Sequence, residues 1–182
     1  MPVSDCSRGE LQLEAFSIRP GTIADIGKMA LVLERANSFR NSNPLPETVT
    51  DQAALERLKG RMAWPNAWSF ITDAPDRMAG FVLVHPSLGE VTLEATQQSR
   101  PDVEHLALLM TEPRYWGKGI GTKLLDIAAE NARDNGKEQM ILWTARNNIR
   151  ARRLYEHNGY VLSNRTRVSE FRGPLVQYIL DL

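Results

Sequence analysis

The sequence predicts a mixed α/β domain, with a central sheet of about six to seven strands flanked by about four helices. Two patterns point that way. Residues 105–111 (HLALLMT) and 140–144 (MILWT) are short, nearly continuous apolar runs, as expected for buried strands. Each leads into a helical pattern, so strands and helices mix within one unit.

The remaining elements follow in order. Phe16, Ser17, Ile18 and Arg19 alternate and then meet Pro20-Gly21, a strand ended by a turn. Thr22 with an acid three residues on, Asp25, resembles a helix start. Ile23, Ile26, Ala30 and Leu33 follow at helical spacing, and this helix runs to about Phe39. Residues 41–46 (NSNPLP) are a loop. A second helix is expected over about 51–61, with Ala54, Leu55 and Leu58 on one side. Residues 68–72 and 79–85 form a hairpin around Ala74-Pro75-Asp76. Residues 86–102 are irregular, with a short strand at 90–93. After the strand at 105–111 comes a glycine loop at 117–121 and a helix over 121–132, with Ile120, Leu124, Ile127 and Ala128 on one face. Asn135-Gly136 stops it. A helix over 148–157, stopped by Asn158-Gly159, follows the strand at 140–144. Two final strands surround residues 172–174. The order is βααβββαβαββ, without internal repeat or long linker.

The 182 residues fit one domain, read as 13–182 behind a flexible leader at 1–12. Lys and Arg together number 22, as do Asp and Glu, so no whole-molecule field calls for nucleic acid or an acidic membrane. Cys6 is the only cysteine, which precludes an internal disulfide and favours a reducing, cytoplasmic setting. No motif around Cys6 suggests a nucleophile. No apolar run approaches the roughly 20 residues needed to span a bilayer, and the N-terminus lacks a signal-peptide layout.

The chemistry concentrates in residues 112–122 (EPRYWGKGIGT), between a buried strand and an amphipathic helix. Glycines let the backbone bend tightly and bring its N–H groups against a ligand. The helix N-terminus adds unpaired donors and partial positive charge. Together these make a diphosphate cradle, to which Lys118 could add a charge. A Walker loop would need Gly-Lys-Ser/Thr, but the order here is Gly121-Thr122-Lys123. A Rossmann fingerprint would need Gly-x-Gly-x-x-Gly and an acid ending the next strand. The chain has Gly-x-Gly-x-Gly and Trp143-Thr144. In a turn without a ligand, three alternating glycines would each cost about 0.5–1 kcal/mol of chain entropy for nothing.

These residues resemble the GNAT superfamily, the Gcn5-related N-acetyltransferases. Its pyrophosphate motif, Gln/Arg-x-x-Gly-x-Gly/Ala, maps onto residues 116–121, with Gly119 and Gly121 as the motif glycines. Trp116 departs from the usual Gln or Arg. The family's second pattern is also present, as Asn148, Ala151, Leu154 and Tyr155 at the expected spacing, then Gly159-Tyr160. The specific motifs lie within residues 106–160, while the resemblance in element order covers about 15–182.

The resemblance implies the acyl-CoA N-acyltransferase fold, a mixed sheet splayed between its fourth and fifth strands. Acetyl-CoA is then the co-substrate, with no metal. Its pantetheine arm would enter the splay and pair with the backbone at Leu109, Met110 and Thr111. Trp116, Gly117, Lys118, Gly119, Ile120, Gly121 and Thr122 would hold the diphosphate. A backbone N–H at the splay could polarise the thioester carbonyl. Tyr155 maps onto a tyrosine that protonates the departing thiolate, a role within reach of a phenol of pKa about 10; otherwise it packs a helix face. Asn148 maps onto a cofactor contact, and it also suits a helix N-cap. Of the basic run, Arg150 could approach phosphates, whereas Arg152 and Arg153 suit a solvated face.

Transfer needs a group to take the amine proton. Glu104 and His105 are candidates whose side chains point to opposite sheet faces; Glu112 and Glu94 are further options, and a water chain is the alternative. The acceptor is expected over residues 36–65 and the last hairpin, where Phe39, Arg40, Trp64, Trp68 and Tyr178 could line an amine pocket or simply pack the core. The leading expectation is an enzyme acetylating a small-molecule amine, as a monomer or homodimer. A protein acetyltransferase acting on an N-terminus or lysine, and a non-catalytic acyl-CoA sensor, are the alternatives.

Overall fold

The computed structural model describes residues 16–40, 52–87, 91–92, 95–96, 100–169 and 173–182. The leader, Cys6, the loop at 41–46 and Glu94 lie outside them.

The expected elements form, mostly with bounds shifted by one or two residues. Strand β1 is Ser17–Pro20. The first helix starts late: Ile23–Asp25 is a 3-10 turn, and α1 proper is Ile26–Arg40. Thr22 and Asp25 pair as expected, with the Thr22 N–H and hydroxyl donating to the Asp25 carboxylate at 2.9 and 3.0 Å. Ile23 was expected on the core face, but the tight turn leaves it 72% exposed. Helix α2 is Gln52–Met62, and β2 (Trp68–Asp73) and β3 (Met78–Pro86) make the hairpin. The short strand expected at 90–93 is β4 (Val91–Thr92), paired with β5 (Ala95–Thr96). Then come β6 (Val103–Thr111), α3 (Ile120–Asp134), β7 (Gln139–Ala145), α4 (Ile149–His157), β8 (Val161–Ser169) and β9 (Gly173–Asp181).

Seven strands form one sheet in the order β1-β2-β3-β6-β7-β9-β8. All neighbours are antiparallel except β6 and β7, which the α3 crossover makes parallel. Helices α1 and α2 cover one face through Met29, Ala30, Leu33 and Leu58, packed on Ile71, Phe81, Leu83 and Leu108. On the other face α3 packs Leu124, Leu125, Ala128 and Ala132 against Val82, Val84, Leu106 and Met140, and Tyr155 of α4 joins that cluster. Burying both faces explains why the middle strands read as continuous apolar runs.

Two features of β6 create the site. Its pairing with β7 stops after Leu106↔Leu142, although β6 continues to Thr111 and β7 to Ala145. The strands therefore splay. On its other side β6 carries a bulge, for Leu83 pairs with Leu108 and Val84 with Leu106, passing over Ala107. The extra residue reverses the alternation. Leu106 and Leu109, three apart, both pack towards α3, while Leu108 and Met110 pack towards α1 and α2.

Candidate active site

The splay opens a cleft of about 730 Å³. Its floor is β6 from Leu106 to Thr111, and Trp143, Thr144 and Ala145 of β7 stand opposite. The loop before α3 closes one end, and the start of α4 and the last turn of α1 complete the wall.

The loop is built by its sequence. The Glu112 N–H donates to the Ala79 carbonyl at 2.8 Å, ending β6 against β3. Pro113–Tyr115 then makes a 3-10 turn that proline at its first position favours. Gly117 and Gly119 have φ of 79° and 78°, and Gly119 caps α3. A Cβ at either would meet nothing within 4 Å, so left-handed backbone rather than crowding calls for glycine there. Gly121 has a different reason: a Cβ would stand 3.0 Å from Leu154 Cδ2, so its bare backbone lets α3 and α4 approach. The N–H groups of Ile120, Gly121 and Thr122 begin α3 without carbonyl partners in the preceding turn, on residues that line the cleft. This donor row suits the diphosphate of acetyl-CoA, and the unmatched edge of β6 suits an amide-bearing arm.

Most of the residues singled out from sequence meet here. Leu109, Met110, Thr111, Trp116, Gly117, Gly119, Ile120, Gly121, Thr122, Asn148 and Tyr155 all line the cleft. Lys118 does not, because its ammonium turns back over the Tyr115 ring, 5.4 Å from the centroid. Trp116 is held on several sides. Its indole N–H donates to the Thr111 carbonyl at 3.0 Å, Phe39 meets it edge-on at 4.8 Å, and the Arg150 guanidinium lies 4.0 Å from its ring centroid. Asn148 caps α4, its Oδ1 accepting from the Ala151 N–H at 3.3 Å. Tyr155 is buried, with the rings of Tyr160 and Tyr178 at 5.8 and 6.0 Å.

The base candidates stand apart. Neither Glu104 nor His105 lines the cleft, and as consecutive residues of β6 ahead of the bulge they point to opposite faces. Glu104 is buried near Trp68, and its Oε2 has no hydrogen-bond partner among the described residues. Burial holds its carboxyl above the usual range, against the opposing charge of Lys137. His105 lies edge-to-face with His85 at 4.8 Å, and Trp64 covers His85 at 4.2 Å. Desolvation, His85 and the cations Arg167 and Arg61 lower the His105 pKa to about 3. Glu112 is buried in ion pairs with Arg35 and Arg114, at 3.4 and 3.9 Å.

Of the aromatics that could line an amine pocket or pack the core, two pack the core. Tyr178 is fully buried, its hydroxyl donating to Glu156 and accepting from Arg152 Nε. Trp68 packs edge-on against Phe70 within the α3-side core. Phe39 does line the cleft, and Trp64 lies beyond it on His85. Sequence reading missed Ala107, whose bulge has no local signal, and Trp143, which reads as one more buried strand residue. Its ring carries the Arg167 guanidinium at 4.4 Å. Among the described residues, no cluster of three or more His, Cys, Asp or Glu side chains is placed to hold a metal, and no helix is long and apolar enough to cross a membrane.

Residues 36–160 match the acetyltransferase (GNAT) family. The chain is 28% identical over 146 residues to YhfO of Bacillus subtilis strain 168, an uncharacterised N-acetyltransferase, covering 80% of this chain and 89% of that one. Its fold resembles the ribosomal-protein-S18-alanine N-acetyltransferase of Escherichia coli, with a TM-score of 0.67 at 18% identity over 91% of this chain and 93% of that one. It also resembles the PaiA N-acetyltransferase of Thermoplasma acidophilum, solved with coenzyme A, with a TM-score of 0.60 at 15% identity over 89% and 97% of the two chains.

Proposed function

Because this chain belongs to the GNAT acetyltransferase family and is an acetyl-CoA-dependent N-acetyltransferase, we propose that it acetylates a primary amine of a small molecule by direct transfer, with Tyr155 as general acid. The observation that carries the reading is that Tyr155 lines one cleft with the glycine turn and the unmatched edge of β6.

Acetyl-CoA supplies a thioester whose acyl carbon is open to attack by an unprotonated amine. The N–H groups at the start of α3 hold its phosphates, and the free edge of β6 aligns its arm. A β6 N–H beside the bulge donates to the carbonyl oxygen as negative charge gathers there. As the new C–N bond forms and the C–S bond breaks, Tyr155 gives its proton to the sulfur, and the proton shed by nitrogen returns to the phenolate. We assign that return to water rather than to Glu104 or His105. Both side chains stop short of the cleft, and His105 takes up a proton only in strong acid.

The last turn of α1 narrows the approach with Ala36, Asn37 and Phe39, which suits a compact acceptor. A peptide acceptor is the second reading, since the Escherichia coli neighbour is named for a ribosomal-protein alanine. Incubating the chain with acetyl-CoA and a panel of amines and peptides, and reading free thiol, tests the proposal. Turnover confined to small amines is the expected outcome. Turnover confined to peptides would transfer the assignment to a protein acetyltransferase, and binding of acetyl-CoA without turnover on any acceptor would point to a sensor.

A further inference from the structure

We propose that Arg150 is the phosphate-binding cation of the cofactor cleft, and that Trp116 is the residue that positions it. The inference rests on the acetyl-CoA reading above and deepens it, because it names the side chain that answers the charge of the carrier.

Among the described residues lining the cleft, Arg150 is the only one with a charged side chain. Coenzyme A carries a diphosphate and a separate ribose phosphate. Placed in a cleft whose other donors are main-chain N–H groups and uncharged side chains, that charge falls against one guanidinium. The neighbouring cations are engaged elsewhere. Lys118 lies over Tyr115, and Arg152 bonds the Tyr178 hydroxyl at 3.0 Å and the Arg146 carbonyl at 3.1 Å. Arg153 is exposed on the same helix and does not line the cleft.

Arg150 is also held in place. It sits in the first turn of α4, and its guanidinium stacks on the Trp116 ring at 4.0 Å. A cation–π contact holds a guanidinium without using its N–H donors, which can then meet phosphate oxygens, often in bidentate pairs. The indole beneath it is fixed by its hydrogen bond to the Thr111 carbonyl and by the edge of Phe39. Trp116 immediately precedes Gly117, so the platform is part of the phosphate turn itself.

Calorimetric titration of the full chain with coenzyme A, at low and high salt, tests both halves. Arg150→Ala should weaken binding about tenfold or more and flatten its salt dependence, since a charge-assisted contact is lost. Arg153→Ala removes the same charge from the same helix and should stay within about twofold of wild type if position, not net charge, matters. Dephospho-coenzyme A separates the targets. A persisting effect of Arg150→Ala assigns the contact to the diphosphate, and a vanishing effect assigns it to the ribose phosphate. Trp116→Leu should weaken binding, and the double variant should be little worse than Arg150→Ala, as for residues acting as a unit.

Arg150→Ala within about twofold of wild type, with unchanged salt dependence, would overturn the assignment; so would an equal loss in Arg153→Ala. Independent, additive losses would overturn the positioning role of Trp116. A wild-type chain that binds no coenzyme A would instead overturn the cofactor reading beneath both. Far-ultraviolet circular dichroism of each variant confirms that the fold is kept.

Discussion

At the residue scale, neighbours decide what a side chain can do. Tyr155 and Tyr178 are both buried tyrosines of the α3-side core. Tyr178 holds its hydroxyl between Arg152 and Glu156, and Tyr155 lines the cleft. If Tyr155 is the acid, Tyr155→Phe keeps the ring packing and removes only the proton donor. We expect kcat to fall about 10²-fold, with coenzyme A affinity within about twofold of wild type. Unaltered kcat across the pH range would assign Tyr155 to packing alone. Asn148 caps α4 and lines the cleft at once. Trp116, where the chain departs from the family pattern, brings an indole that binds the end of β6 and carries Arg150.

At the element scale, the turn into α3 shows three glycines with two different purposes. Gly117 and Gly119 supply left-handed backbone in open space, and Gly121 supplies room against Leu154. Their substitutions should therefore differ. Gly119→Ala clashes with nothing but forces an L-residue to positive φ, at a cost of about 1–2 kcal/mol. In a domain of this size that lowers Tm by roughly 2–8 °C, and coenzyme A affinity should fall with it. Gly121→Ala gains helix propensity and needs only the tip of Leu154 to move, so its Tm should lie closer to wild type. Thermal melts of both variants check this, and equal losses would rule out the distinction. The strand–turn–helix unit was legible in the sequence because proline, glycine and helix period are local signals. The bulge at Ala107 was not, since an apolar strand reads the same with or without one extra residue.

At the scale of the whole molecule, pairing across the sheet brings groups together that are far apart in the chain. His85 and His105 meet through the β3–β6 register, where they are direct partners, and both have lowered pKa values with burial as the largest cause. The consequence for stability has a definite sign. Unfolded His105 takes up a proton near pH 6.5, while the folded group resists until about pH 3. Its contribution is thus intact above about pH 6.5 and is lost as pH falls towards the folded value. His105→Gln should remove this loss, so that between pH 7 and pH 5 the variant sheds about 1–2 kcal/mol less stability than wild type. His85 keeps a slope of the same sign in the variant. Urea unfolding at the two pH values measures the difference, and parallel losses would contradict the assigned burial.

The order of the main-sheet strands and the helices, the glycine turn after a buried strand and the helix over 148–157 are legible in the sequence, whereas the strand at Ala95–Thr96 is not. Backbone freedom, capping and apolar period are properties of consecutive residues, so they can be read without a partner. The tertiary structure sets where β6 parts from β7, and hence which residues share the cleft. It turned Tyr178 and Trp68 into the core, kept Glu104 and His105 out of the cleft, and set Arg150 on Trp116. Those outcomes depend on strand register and on contacts between distant segments, and a one-residue bulge is enough to reverse which face a side chain meets.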